Sequence, residues 1–294
     1  MTNSKLRQGS KQRIHPFQYI DRIIKQRRAL RIDKEIRRAA DLTPVTEFAA
    51  EDIFIVGYPK SGNTWFRYLV TGVFYGVDPE YAPHTLVNSL IPNMHVKQYY
   101  QRFQTPMFFK SHFLPRPDFR RVVYLLRDGR DAMVSYYHHQ AKLNRMDIDF
   151  LSMVRNGEGL FPCKWHEHVE SWLSNPFEAE MIVITYEDLK KDTVHELRRF
   201  CEFAGIERDD LLLKSAADKT ALEKMRRKEE KEVWNPQWSR NQHFVRRGQV
   251  GSYKDEMPAD VLDAFLDEAG DTLQKHGYLT EIEADVAANE VEGT

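Results

Sequence analysis

Cysteine is nearly absent. Cys163 and Cys201 are the two in 294 residues, and they sit in unrelated contexts. That excludes a disulfide framework and a Cys-rich zinc site, and it fits a reducing compartment, the cytoplasm being the expected location. No apolar run reaches membrane length, so no transmembrane segment is expected. No signal peptide is visible either, since Met1 to Lys11 is polar with no hydrophobic region behind it. An excess of one charge is lacking too: the net charge is −1, so no global field recruits nucleic acid. Internal repeats are absent. What is present, 41% hydrophobic and 30% charged residues, is the balance of a globular protein long enough to bury a substantial core.

The two ends differ in composition. Residues 1–40 carry twelve Lys/Arg against three acids, and Ile20, Ile23, Ile24, Leu30, Ile32 and Ile36 suggest a basic amphipathic helix over residues 20–38. A helix packed on the domain is the expectation, with peripheral contact to a membrane surface as the alternative. Residues 281–294 hold five acids and no Lys, Arg or aromatic, which predicts a disordered tail. The chain therefore divides into a basic N-terminal extension (1–45), one α/β domain (46–280) and an acidic tail (281–294).

The domain is organised around Phe54 to Trp65, F-I-V-G-Y-P-K-S-G-N-T-W. Ile53 to Val56 reads as a buried parallel strand, and Trp65, Tyr68, Leu69 and Phe74 recur at helical spacing. A strand, a Gly-bounded loop and a helix together aim backbone N–H groups at an anion. Gly57 and Gly62 have the interval of a nucleotide-triphosphate loop, and Thr64 fills its hydroxyl position. Asn63 stands where that loop has its lysine, and the lysine lies inside the loop as Lys60. A phosphate cradle fits this pattern; the charge geometry of a metal-assisted kinase or NTPase does not.

Three more buried strands are expected. One begins at Met107 and ends in Lys110-Ser111-His112, and a histidine at the carboxyl end of a parallel strand is placed to act as a general base. Arg121 to Leu126 ends in Arg127, with a helix bearing Ser135 behind it; guanidinium and hydroxyl together suit a second phosphate. Met181 to Thr185 ends in Tyr186-Glu187-Asp188-Leu189. Trp165, Val169, Trp172 and Leu173 have helical spacing, on which His166 and His168 diverge and share no metal. The charge run Lys224 to Lys231 reads as a solvated face, and Asn235 to Arg247 as a loop or lid ending in the anion-binding Arg246-Arg247-Gly248. Tyr99, Tyr100 and Phe103 are candidates for an acceptor pocket, against the commoner role of aromatics as core.

In order along the chain, these segments resemble the soluble sulfotransferases that use 3′-phosphoadenosine 5′-phosphosulfate (PAPS). Tyr58 to Trp65 is similar to the family's 5′-phosphosulfate loop, and Leu126 to Tyr137 to its 3′-phosphate segment. Lys110-Ser111-His112 resembles the motif with the catalytic histidine, and Arg246 to Lys254 the C-terminal Arg-Lys-Gly-x-x-Gly-x-x-Lys pattern. The resemblance implies a P-loop-like parallel sheet with helices on both faces. It also implies metal-independent sulfuryl transfer to a hydroxyl or amine of an acceptor by in-line displacement, leaving adenosine 3′,5′-bisphosphate (PAP). By the same resemblance His112 is the base and Lys60, assisted by Lys110, neutralises the leaving oxygen. Lys60, Ser61, Gly62, Asn63 and Thr64 hold the 5′-phosphosulfate. Arg127, Ser135, Arg246, Arg247 and the Gly248 amide hold the 3′-phosphate, and Trp65, Tyr186 and Thr220 contact the adenine.

The departures are Ser111 for Thr, Arg247 for Lys and Leu222 where the family often has an aromatic. The dimer motif of many animal members is not found after Lys254, so the oligomeric state stays open. The stretches where acceptor contacts would fall, Gly76 to Pro106 and Gln140 to Phe161, match nothing. The acceptor therefore stays open among a sugar hydroxyl, a lipid or steroid alcohol and a phenol, and a P-loop kinase is the alternative function.

Overall fold

The structure, a computed structural model, describes residue 35 and residues 40–143, 146–232, 234 and 243–279. The expected basic helix over 20–38, apart from residue 35, and the acidic tail lie outside the described residues. Among the described residues no helix is long and apolar enough to cross a membrane.

Four strands form one parallel sheet: β2 (Ile53–Gly57), β4 (Phe108–Ser111), β5 (Arg121–Leu126) and β6 (Glu180–Thr185), in the order β4-β2-β5-β6. Two short strands, β1 (Leu42–Pro44) and β3 (Tyr99–Gln101), pair antiparallel beside it, so residues 42–44 belong to the folded domain. The sheet strands alternate between two covered faces. Phe54, Val56, Tyr124 and Leu126 pack with Trp165, Trp172 and Phe265, while Ile53, Ile55, Val123 and Leu125 pack with Phe66, Leu69 and Phe200. Burial on both sides is why β2 and β5 read as unbroken apolar runs, whereas β6, expected to be buried, lies at the sheet edge and is mostly half-buried.

Helices α1 (Asn63–Val73), α2 (His84–Leu90), α3 (Gly129–Tyr137), α4 (Phe150–Asn156), α5 (Trp165–Leu173) and α6 (Tyr186–Lys191) connect the strands or follow their tips. A π-helical turn, His138–Leu143, continues α3. The C-terminal part adds α7 (Thr193–Ala204), α8 (Asp210–Lys219), α9 (Leu222–Lys231), α10 (Tyr253–Glu256) and α11 (Ala259–Lys275). This is a single-domain α/β fold of the P-loop type. From β2 the chain crosses to β4 on one side and then returns to β5 on the other. Open parallel sheets bind ligands beyond the carboxyl ends of their strands at such a switch. Here those ends are Gly57, Ser111, Leu126 and Thr185.

One expectation is corrected. The charge run on α9 is not simply solvated, because Lys228 and Glu229 are buried. Lys228 Nζ donates to the Glu80 carbonyl at 2.8 Å, and the Glu229 carboxylate accepts from the amides of Phe244 (2.5 Å) and Val245 (2.9 Å). Composition shows a polar run; only packing shows that its carboxylate clasps a loop.

Candidate active site

A cavity of about 610 Å³ opens over the strand tips. Its walls include Lys60, Gly62, Asn63, Thr64 and Trp65 from the β2–α1 segment, Lys110 from β4 and His112 just after it. Arg127 and Ser135 follow β5, Tyr186 follows β6, and Thr220, Arg246, Arg247 and Gly248 come from the C-terminal part. Of the expected catalytic and donor-binding residues, only Ser61 is off the wall: it is buried, its amide donating to the Tyr58 carbonyl at 3.1 Å. Tyr99, Tyr100 and Phe103 do not reach the cavity. Tyr100 is instead a buried strand residue whose hydroxyl donates to the Glu47 carbonyl at 2.8 Å and accepts from Arg102.

The loop is shaped for an anion. Gly62 has φ of 95°, and a Cβ there would lie 2.9 Å from Tyr186 Cδ2. Helix α1 starts behind it with no side-chain cap. Its first ladder bond runs from the Phe66 amide to the Gly62 carbonyl at 3.0 Å, which leaves the preceding amides without helical acceptors. The buried Ser61 Oγ, both Asn63 amide atoms, Arg127 Nε and Arg246 Nε have no protein partner among the described residues. Buried polar atoms are rarely left unpaired. The unpartnered N–H donors of Asn63, Arg127 and Arg246, beside a glycine cradle, fit a multiply charged anionic ligand.

The cationic groups are held in place. Arg127 donates to the carbonyls of Lys60 (3.0 Å) and Gln249 (3.1 Å) and lies 4.3 Å from the Tyr186 ring centroid. Arg246 and Arg247 share the Glu256 carboxylate, which also meets His138 Nε2 at 3.0 Å. Burial pushes the Glu256 carboxyl up, but the hydrogen bonds from Arg246 and Arg247 outweigh it and hold the pKa at about 2. Gly248 adopts φ of 59°, and a Cβ there would meet Leu222 Cδ1 at 2.7 Å. Thr220 is fully buried; its hydroxyl donates to the Ala216 carbonyl (2.9 Å) and accepts from Trp65 Nε1 (3.2 Å). Thr220 thus fixes Trp65, which meets Tyr186 edge-on at 5.8 Å.

Lys60 Nζ lies 3.5 Å from the centroid of the Phe244 ring. Desolvation, with the nearby Arg127 charge, lowers its pKa to about 7. Lys110 also falls to about 7, through desolvation and then the charges of Arg67 and Lys60. His112 Nδ1 lies 2.6 Å from the Gly57 carbonyl oxygen. A carbonyl can only accept, so Nδ1 carries the proton and Nε2 presents a lone pair. Desolvation, reinforced by Lys110, pushes the His112 pKa well below its ordinary value, so the imidazole is neutral.

Residues that the sequence does not single out complete the cavity: His95, Tyr136, His139, Gln140, Phe161 and Phe244. His95, Gln140 and Phe161 fall in or at the ends of the two stretches marked as acceptor-facing, but weak periodicity offers no way to pick them out.

Residues 50–277 match the sulfotransferase domain family. The chain belongs to that family. It is an enzyme that transfers a sulfuryl group, and the match does not favour the kinase alternative. Human sulfotransferase 1C2 is 27% identical over 251 residues, covering 74% of this chain and 82% of the relative. Guinea pig 3-beta-hydroxysteroid sulfotransferase is 27% identical over 240 residues, covering 73% and 81%. Among solved structures, a mouse sulfotransferase complexed with PAP shares the fold at TM-score 0.58 and 18% identity, covering 84% of this chain and 91% of that one.

Proposed function

We propose that this sulfotransferase moves the sulfuryl group of PAPS to a hydroxyl of a small-molecule acceptor, with His112 as general base. The observation that carries this reading is the His112 tautomer. Its proton is committed to the Gly57 carbonyl, which leaves Nε2 as the proton acceptor on a cavity wall shared with Lys60 and Lys110.

The donor supplies an activated sulfur, whose bond to the bridging phosphate oxygen breaks as the acceptor oxygen bonds to it. Arg127, Ser135, Arg246, Arg247 and the Gly248 amide hold the 3′-phosphate. The α1 N-terminus with Lys60, Gly62, Asn63 and Thr64 holds the 5′ side. Ser61 supports the loop from behind. Trp65 and Tyr186 form the adenine wall, and Thr220 orients Trp65 rather than bonding the base itself, because its hydroxyl is already engaged. His112 Nε2 takes the acceptor proton, while Lys60 and then Lys110 neutralise charge growing on the leaving oxygen. Two free cysteines and the family match support a cytoplasmic enzyme. A relative named for a hydroxysteroid acceptor supports a small molecule over a polymer.

Calorimetry with PAP in EDTA, run against Mg-ATP, tests the donor site. Metal-free preference for PAP is the expected result, and preference for Mg-ATP would return the chain to the kinases.

A further inference from the structure

Two stacked imidazoles line part of the cavity. The rings of His95 and His112 lie 5.3 Å apart at an interplanar angle of 21°. The backbone N–H of His112 donates to His95 Nε2 at 2.7 Å. An imidazole nitrogen that accepts carries no proton, and burial and the neighbouring Lys110 hold His95 neutral by lowering its pKa to about 4. Its one proton is therefore on Nδ1. Among the described residues Nδ1–H has no hydrogen-bond partner. The ring is held against Phe113 at 4.3 Å and Phe161 at 5.2 Å, so its place is fixed by packing.

The two stacked histidines both line the cavity and carry complementary groups, a lone pair at His112 Nε2 and an N–H donor on His95. From this juxtaposition we infer that the acceptor is a polyhydroxylated, sugar-like molecule. Its reacting hydroxyl gives its proton to His112 while an adjacent hydroxyl oxygen accepts from His95. The inference rests on the proposed role of His112. A steroid alcohol or simple phenol, with one hydroxyl, would leave the His95 N–H desolvated and unpaired. A site built to bond a substrate oxygen discriminates against analogues that lack it. The rest of this wall suits the same class. Phe161, a residue 44% exposed on this wall, offers an apolar surface for the C–H side of a sugar ring.

The test uses the full-length enzyme, labelled PAPS, and a matched pair of acceptors, cis-1,2-cyclohexanediol and cyclohexanol. Methyl glucoside is added as a sugar and phenol as the competing class. The wild-type enzyme should turn over the diol with kcat/KM about tenfold above the mono-alcohol, and the glucoside above phenol. In His95→Phe the diol preference should collapse to about twofold, the statistical factor for two equivalent hydroxyls once the hydrogen bond is gone. A residue that only positions His112 would lower both rates and leave the ratio unchanged. A flat ratio in the wild type, a ratio that survives His95→Phe, or phenol outrunning every diol would each overturn the inference. Thermal shift with PAP runs in parallel. Stabilisation with a flat ratio refutes the acceptor class alone, whereas no stabilisation and no transfer refute the donor reading and this inference with it.

Discussion

His112 Nδ1 and the Gly57 carbonyl, 55 residues apart in sequence, meet at 2.6 Å. Strands β2 and β4 are neighbours in register, Val56 opposite Ser111, so the end of the phosphate-type strand anchors the imidazole that follows the next one. This contact selects the tautomer in which Nε2 is basic. Replacing His112 with Ala should lower kcat by about 10²–10⁴-fold, the usual contribution of a positioned base. PAP affinity should stay within about twofold, because the proton is taken only as the new bond forms. Single-turnover assays and calorimetry separate the two, and an active His112→Ala enzyme would remove His112 as the base.

Arg127 stands where two phosphate subsites would meet. Its Nη groups hold the carbonyls of Lys60 and Gln249, and its Nε is buried without a partner among the described residues. Arg127→Ala should weaken PAP by roughly tenfold to a hundredfold, as expected for a charge-assisted bond. Adenosine 5′-phosphate should lose far less. The two ligands share everything except the 3′-phosphate, so equal losses would show that Arg127 props the loop and does not read that group.

Much of this arrangement is legible in the sequence because its parts are local. Strands β2 and β5 are readable as apolar runs buried on both faces, and the edge strand β6 reads as an apolar run although it is mostly half-buried. The residues at the strand tips follow at once in the chain, so the positions of Lys60, His112, Arg127 and Tyr186 can be inferred from local pattern alone. What is not legible depends on distant partners. His95 follows a helix in an aperiodic stretch, and nothing local says that its Nε2 will receive the His112 amide. Glu229 reads as one of a run of charges until Phe244 and Val245 are brought to it. Glu256 lies just past the glycines in a stretch that carries no recognisable motif, yet it holds both Arg246 and Arg247.

The two lysines make a pH prediction. Desolvation places both Lys60 and Lys110 near pKa 7 in the free protein, so at pH 8 each is largely neutral. An anion bound beside them raises both values again. PAP binding at pH 8 should therefore take up between about one and two protons, and affinity should fall as pH rises from about 7 to about 9. Calorimetry in buffers of different ionisation enthalpy measures the uptake directly. An enthalpy independent of buffer, or affinity that rises with pH, would place neither lysine at the anion.

Asp131 is fully buried at the first turn of α3 and gathers the C-terminal segment onto the site. Its carboxylate accepts from the Gly251 amide (2.8 Å), the Ser252 hydroxyl (3.1 Å) and the Tyr253 amide (2.9 Å), with Arg127 Nη2 at 3.5 Å. Those donors closely follow Arg246, Arg247 and Gly248, so one side chain links Arg127, just before α3, to the cations of the distant loop. Asp131→Ala would leave several buried donors unpaired and strip Arg127 of its counter-charge. A loss of about 3 kcal/mol in unfolding free energy is expected. Because the clamp loop loses its anchor, PAP should also stabilise the variant less than it stabilises the wild type. Asp131→Asn keeps one accepting oxygen and should recover part of the stability while lacking the negative charge. If Asp131→Ala lowers the unfolding temperature but binds PAP with wild-type affinity, the loop holds its shape without the carboxylate, and Asp131 serves the fold alone.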